Sequence, residues 1–140
     1  MRTVLLRRQN QQARRRGATA VEFAMVLPVI LLMFLAAAEM TNLHFIKHTA
    51  ANAAYEGARA AMVAGGSPDR GVAHAEQFLN RLGVGTGSEV TLTTTPEVVT
   101  ISVRVPLNLH SLGLGRFTQN LYVTESASLR RERRQFDPGT

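Results

Sequence analysis

The sequence predicts an α+β protein with a long N-terminal helix, a second short helix and a small antiparallel sheet of three strands. Three observations predict this class: one uncharged apolar run, a following stretch of small residues at helical spacing, and three later stretches in which apolar and polar residues alternate. A chain of 140 residues suits one modest domain. Because it has no cysteine, it is neither a disulfide scaffold nor a thiol enzyme.

The net charge of +6 is concentrated at the N-terminus. Residues 1–17 contain six arginines and no acid, and the rest of the chain carries equal numbers of basic and acidic residues. This distribution argues against a basic nucleic-acid-binding domain, so no nucleic-acid partner is expected. Residues 1–17 are predicted to form a basic cytoplasmic leader.

The apolar run is long enough to cross a bilayer. Residues 23–38 are uncharged, and residues 18–38 would form a helix about 31 Å long at 1.5 Å per residue. Such a helix is apolar on every face, and the rest of the chain is too small to bury it. We therefore expect a transmembrane helix at 18–38. The flanking arginines would keep the N-terminus in the cytoplasm and the C-terminal region outside.

The helix is predicted to continue outside the membrane over 39–64, up to Gly65 and Gly66, which favour a helix end. Small and apolar residues recur along this stretch at three- and four-residue spacing, which is typical of one helical face. The predicted face consists of Leu43, Ile46, Ala50, Ala53, Ala54, Gly57, Ala60, Ala61 and Ala64. It is interpreted as shallow core, although small residues also permit close approach of another backbone.

Residues 65–140 are predicted to form a small extracytoplasmic α+β domain with a basic C-terminal tail. Ser67, Pro68 and Asp69 are typical of a helix start, and that helix should end at Gly83. Its buried stripe is predicted as Val72, Ala75, Leu79 and Leu82. The strand candidates are 88–95, 98–107 and 118–129. One face of the second candidate consists of Val99, Ile101, Val103, Val105 and Leu107. One face of the third consists of Leu121, Val123, Ala127 and Leu129, and Glu125 interrupts it.

Two residues distinguish the apolar run from a plain anchor. Pro28 lies inside it, where it removes one backbone hydrogen bond and should kink or loosen the helix. Glu22 lies near its start, where a carboxylate in apolar surroundings is costly without a partner. Position alone allows two interpretations of Glu22: a solvated residue at the headgroup level or a functional carboxylate.

The order Arg-Arg-Gly17-Ala-Thr-Ala-Val-Glu-Phe-Ala-Met-Val-Leu-Pro28 resembles a type IV prepilin processing site. Within that superfamily it is similar to the TadE-like pseudopilins of the tight-adherence (Flp) pilus system. The later stretch Ala53-Ala-Tyr-Glu-Gly-Ala-Arg-Ala-Ala61 fits the same family, so the resemblance covers residues 14–64. Phe23 stands where the major Flp pilins carry tyrosine, which favours the minor, TadE-like branch.

The resemblance implies a pilin-like fold and a structural role in pilus assembly. A membrane-embedded prepilin peptidase would cut between Gly17 and Ala18, and Glu22 would then neutralise the new amine of a neighbouring subunit. Pro28 would be the flexible point of the helix. The implied partners are the prepilin peptidase, other pilins and pseudopilins, the assembly machinery and the bacterial inner membrane, with entry into the fibre left open.

Two other hypotheses follow from the same residues. Ala36, Ala37 and Ala38 also suit an ordinary signal peptidase, which would release a secreted or anchored extracytoplasmic binding or adhesion domain starting at Glu39. The arginines alone would also suit a membrane-associated regulator whose N-terminal arm binds anionic lipid.

The sequence gives little support to any catalytic or ligand site, so we expect no enzyme, cofactor, metal or small-molecule substrate. His44 and His48 are one helical turn apart, but no acid accompanies them at the spacing of a zinc hydrolase, and His110 stands alone. The glycines of 83–87 follow a helix and precede a strand, the wrong order for a phosphate loop, and are interpreted as a flexible connection. Residues 130–134 are interpreted as a solvated, frayed basic end.

Overall fold

A computed structural model describes residues 2–63, 67–113 and 118–131, with side chains from residue 17 onward. The elements are α1 (Arg2–Met62), α2 (Pro68–Arg81), β1 (Glu89–Thr94), β2 (Val98–Pro106) and β3 (Tyr122–Arg130). The predicted α+β class is confirmed: a long N-terminal helix, a short second helix and a three-stranded antiparallel sheet. The chain forms two compact units, Met1–Ala38 and Glu39–Thr140, which are described separately.

In the second unit, α1 buries a face made almost entirely of small side chains. The buried residues of this face are Ile46, Thr49, Ala50, Ala53, Ala54, Gly57, Ala58 and Ala61. The predicted face is therefore largely correct, although Leu43 and Ala60 are only half-buried, and Thr49 and Ala58 were not predicted. Helix α1 ends at Met62, two residues before the expected end, and Ala64 and the two following glycines lie outside the described residues.

Helix α2 starts with the capping arrangement that the sequence predicts. The side chain of Ser67 accepts a hydrogen bond from the backbone N–H of Arg70 at 3.2 Å, and Pro68 occupies the first helical position. Asp69 in the first turn and Arg81 in the last turn complement the helix dipole. The helix ends before Gly83, whose φ of +74° is a left-handed conformation that favours glycine.

The buried stripe of α2 differs from the predicted one at three positions. Ala75 and Leu79 are buried as expected, and Gly71 is buried as well. Val72 is only half-buried. Leu82 was predicted to be in the stripe but is 41% exposed, because it forms the C-cap and no longer follows the helical repeat.

The sheet has strand order β1-β2-β3, with both neighbouring pairs antiparallel. In the register, Ile101 of β2 lies opposite Leu92 of β1 and Ala127 of β3. Alternate residues of the central strand are buried, which confirms the predicted period: Val99, Ile101, Val103 and Val105. Ile101, Val103 and Val105 pack with the small face of α1, with Leu79 and with Val84 to form one hydrophobic core.

The third strand begins later than its sequence suggests. Leu121 was assigned to the buried face but lies just before β3 and is 51% exposed. The turn before it explains the difference, since Asn120 has a φ of 69° and the carbonyl of Leu121 accepts a hydrogen bond from the N–H of Leu107 at 2.9 Å. From Val123 onward the alternation holds, with Val123 buried and Ala127 and Leu129 half-buried.

Glu125, which interrupts the apolar positions of β3, has a partner on α1. Its carboxylate lies 3.8 Å from the Nζ atom of Lys47. Since the Lys47 side chain is 60% exposed, this ion pair contributes little to stability. It explains how an acidic residue is accommodated among apolar neighbours on that face.

Helices α1 and α2 approach each other closely at two glycines. A Cβ atom at Gly57 would lie 2.8 Å from the carbonyl oxygen of Gly71 and 2.8 Å from Cδ1 of Ile101. A Cβ atom at Gly71 would lie 2.7 Å from that of Ala61 and 2.8 Å from the carbonyl oxygen of Gly57. Neither site has room for a side chain, so the helices pack backbone against backbone over β2.

We predict that Gly57→Ala destabilises the second unit by about 1–3 kcal/mol, because the new methyl group must displace backbone atoms. Amide hydrogen exchange of the β2 residues, measured on the 140-residue chain in detergent micelles, should accelerate accordingly. Gly17→Ala is the matched control, since it places the same methyl group on the same helix with nothing within 4 Å. Unchanged exchange in Gly57→Ala would show that the contact tolerates a methyl group.

Candidate functional site

The first unit contains an apolar helical segment with no protein around it. The large apolar side chains from Val21 to Leu35 are between 37% and 73% exposed. The most apolar part of α1 has a mean hydropathy of 2.4, and none of it is buried. The described residues contain one helix that is long and apolar enough to span a membrane, and it is this one. It is compatible with single-pass membrane anchoring.

The predicted cleavage residues lie within this helix. Gly17 and Ala18 are both helical and exposed. A Cβ atom at Gly17 would meet nothing within 4 Å, so packing within the chain does not require glycine there. Glycine costs about 1 kcal/mol relative to alanine inside a helix, which eases local opening of the backbone at this position.

Glu22 is exposed and lies one helical turn after Ala18. Residues four apart in an α-helix share a face, with about 6 Å of axial rise between them. Among the described residues, no hydrogen bond or ion pair to the Glu22 carboxylate is found. The carboxylate is therefore available to a group from outside this chain.

Pro28 lies inside α1, and the helix continues on both sides of it. Because proline has no N–H, the carbonyl oxygen of Ala24 lacks its usual helical donor. Proline is tolerated in membrane helices when neighbouring helices or local adjustments satisfy the freed carbonyl. The position is consistent with a locally weakened helix inside the apolar segment.

At the start of the second unit, the Glu39 side chain joins α1 to a distant loop. Its Oε1 atom accepts a hydrogen bond from Oγ of Ser111 at 2.7 Å and another from the N–H of Gly113 at 2.7 Å. One turn further on, Nδ2 of Asn42 donates to the carbonyl oxygen of His110 at 2.6 Å. Residues 39–42 of α1 thus hold residues 110–113 against the helix.

These contacts show what sequence reasoning missed. The sequence identified Glu39 only as the residue that follows the apolar run and the alternative cleavage site, and His110 only as an isolated residue. The His110 ring also reaches the carbonyl oxygen of Thr86 at 3.1 Å, which links the loop to the connection between α2 and β1. No local pattern signals these pairings, because the partners of Glu39 are 72 and 74 residues away.

The two histidines one turn apart, His44 and His48, lie in the part of α1 that belongs to the second unit. Both His44 and His48 are exposed, and Nδ1 of His44 lies 2.8 Å from the carbonyl oxygen of Met40 in the preceding turn. Within the described part of the chain, no group of three or more histidine, cysteine, aspartate or glutamate residues is placed to hold a metal ion.

The glycine-containing stretch 83–87 connects α2 to β1, as predicted, and forms defined turns. Val84 is buried, and its N–H donates to the carbonyl of Leu79 at 3.0 Å. The N–H of Ser88 donates to the carbonyl of Gly85 at 3.1 Å. The stretch therefore completes the core next to α2.

The basic C-terminal stretch starts inside the sheet, which corrects the prediction of a frayed end at its first residues. Arg130 is the last residue of β3, and its guanidinium lies 3.4 Å from the Glu97 carboxylate. The N–H of Arg131 donates to the carbonyl of Glu97 at 2.7 Å. Residues 132–134 lie outside the described residues.

Comparison with known proteins identifies the N-terminal segment. Residues 17–59 match the protein-family model described as TadE-like protein, which is about a third of the chain. Searches of curated proteins and of solved structures find no match. The predicted resemblance is confirmed over these residues, and it indicates involvement in the Tad pilus. That family is structural, and nothing in the match points to catalysis.

We predict that Glu39→Ala loosens residues 111–113 and leaves the core intact. The N–H of Gly113 would lose its charged acceptor, so its amide hydrogen exchange should accelerate at least several-fold, while the β2 amides change little. Glu56→Ala is the control, since Glu56 is a half-buried carboxylate on the same helix with no hydrogen bond to a described residue. Equal exchange of Gly113 in both variants would contradict a tethering role for Glu39.

Proposed function

We propose that this protein is a minor pseudopilin of the TadE-like type that takes part in assembly of a tight-adherence (Flp-type) pilus. It would be made as a prepilin in the inner membrane and cut by prepilin peptidase between Gly17 and Ala18. The observation that carries the proposal is the TadE-like match over residues 17–59, which begins at Gly17 and includes the exposed apolar helix.

Cleavage would change the electrostatics of the chain as well as its length. Hydrolysis of the peptide bond leaves a carboxylate on Gly17 and a new amine on Ala18. It also removes the six arginines of residues 1–17, after which the side chains of the remaining chain carry no net charge at neutral pH. Because flanking arginines hold a helix end on the cytoplasmic side, their loss lowers the cost of drawing the helix out of the bilayer.

The new amine and Glu22 would form the polar contact of the assembly. Each charge is costly alone in apolar surroundings, and the two together are tolerated. On one helix they are separated by about 6 Å of rise, so pairing with the amine of a neighbouring helix would fix the axial offset between subunits. The exposed carboxylate of Glu22 supports this role.

The exposed apolar side chains would be buried in both settings that the proposal requires. In the membrane they face lipid, and in an assembly they face other apolar helices. A locally weakened helix at Pro28 would allow the segment to adapt when it passes from one setting to the other.

A second candidate is favoured by the division of the chain. The boundary between the two compact units lies between Ala38 and Glu39, which is also the alternative signal peptidase site. Cleavage there would release the second unit as a secreted binding or adhesion domain. The two candidates predict different mature N-termini.

We predict that protein purified from native membranes begins at Ala18, as measured by intact mass and N-terminal peptide sequencing. Gly17→Leu should accumulate uncut, because a peptidase that fits the glycine backbone closely has no room for the side chain, whereas Gly17→Ala should be cut, at a reduced rate. Since the fold leaves open space at Gly17, any block reflects the peptidase and not misfolding. A mature protein that starts at Glu39 would favour the secreted domain instead.

We predict that Glu22→Ala is processed normally but fails in pilus assembly, because the neighbouring amine loses its counter-charge. The measurement is pilus yield, by electron microscopy and shear fractionation, in a strain whose only copy carries the substitution. Glu76→Ala is the control, since it removes an exposed carboxylate from α2. Normal piliation with Glu22→Ala would exclude the charge-pairing role.

A further inference from the structure

The loop of residues 107–113, here called the leucine loop, exposes apolar side chains without any charged residue. Leu109 is 55% exposed and Leu112 is 65% exposed. The sequence of the loop, Leu-Asn-Leu-His-Ser-Leu-Gly, contains no acidic residue, lysine or arginine. Leu121, which is 51% exposed, is joined to it through the hydrogen bond between its carbonyl and the N–H of Leu107.

The position of the leucine loop along α1 is fixed by its hydrogen bonds. Glu39 and Asn42 hold Ser111, Gly113 and His110 at distances of 2.6 to 2.7 Å. Glu39 directly follows the apolar run in the chain, and Asn42 is less than one turn further on. The exposed leucines are therefore held beside the part of the helix that follows the candidate membrane span.

We propose that the leucine loop, together with Leu121, docks into the interfacial layer of the lipid bilayer from which α1 emerges. The partner is a lipid surface, and the argument is continuity with the apolar span. If residues 18–38 are in the membrane, the first turn after them lies at the headgroup level, and Leu112 lies at the same level. The inference rests on the membrane insertion that is part of the proposed function.

The bonding of Glu39 suits such an environment. A carboxylate close to the acyl region is costly unless its oxygens accept hydrogen bonds, and Glu39 receives two from Ser111 and Gly113. The same bonds satisfy a hydroxyl and a backbone N–H of the loop, which could not otherwise approach lipid cheaply.

An aromatic and basic contact flanks the apolar residues. Tyr122 follows Leu121 and is 47% exposed, and the guanidinium of Arg104 lies 3.9 Å from the centre of its ring. Tyrosine is enriched at membrane interfaces, and arginine is attracted to anionic headgroups. This end of the sheet thus carries residue types that favour the border between headgroups and acyl chains.

Docking would give the second unit a defined orientation on the membrane before assembly. Exposed leucines gain stability by leaving water, and this gain exists only while α1 remains in the bilayer. Docking of the loop would therefore increase the free-energy cost of extracting α1 from the bilayer. After extraction, the apolar side chains of the loop would be accessible for other contacts.

The test uses single cysteines, which the chain accepts cleanly because it has none of its own. Leu112→Cys, Thr93→Cys and Leu31→Cys are each labelled with an environment-sensitive fluorophore in the 140-residue chain. The variants are reconstituted in vesicles of phosphatidylethanolamine and phosphatidylglycerol. Quenching is measured with lipids that carry a nitroxide near the headgroup and, separately, with aqueous iodide.

The expected result is that the label at Leu112 is quenched several-fold more by nitroxide lipid than the label at Thr93, an exposed residue of β1, and is protected from iodide. Adding Glu39→Ala should reduce this lipid quenching, because the loop loses its two hydrogen bonds to the Glu39 carboxylate. A lipid-quenched label at Leu31 establishes that the apolar segment is inserted.

Three results would overturn the proposal, and they have different meanings. Iodide quenching at Leu112 with lipid quenching at Leu31 would place the loop in water and leave the pseudopilin proposal standing. Protection from both quenchers would show that a protein surface, such as a second copy, covers the loop. Absence of lipid quenching at Leu31 would remove the membrane insertion itself, and with it the basis of both proposals.

Discussion

The folded part of this protein depends on the close approach of α1 and α2 at Gly57 and Gly71. Because neither glycine has room for a Cβ atom, the helices meet backbone to backbone, and Ile101 of the central strand packs against both sites. A face of alanines and one glycine would be a weak core by itself, since each side chain buries little area. It becomes effective because small residues let a second helix and a sheet come close enough to exclude water.

The two parts of helix α1 differ in how their apolar side chains are covered. Its first part has apolar side chains on every face and no protein cover, so its environment must be supplied from outside the chain. Beyond Glu39 one face of the helix is buried, and this chain's own sheet and second helix cover it. The first part is compatible with single-pass membrane anchoring. The TadE-like match covers residues 17–59 and so includes residues of both parts.

Glu39 lies at the boundary between these two parts of α1. It ends the apolar run and provides the acceptor for a loop that comes more than 70 residues later. In the sequence, a carboxylate in that position indicates only where the apolar run ends. In the fold, its hydrogen bonds fix the position of the leucine loop along α1, next to the end of the apolar run. This position is the reason for proposing that the exposed leucines contact the membrane.

The features that depend on residues close together in the chain could be predicted from the amino-acid sequence. The apolar length, the arginines before it, the Gly17 to Pro28 motif, the Ser67 cap and the alternation of β2 are all readable because each depends on residues close in the chain. The site residues Gly17, Ala18, Glu22 and Pro28 remain predictions of this kind. Other features became known only from the packing of distant segments. Leu82 and Leu121 are exposed, and Thr49 is buried. Gly57 contacts Gly71, and Glu39 binds the 110–113 loop. These features depend on which distant segments of the chain come into contact, and the periodicity of a short stretch of sequence does not predict such contacts.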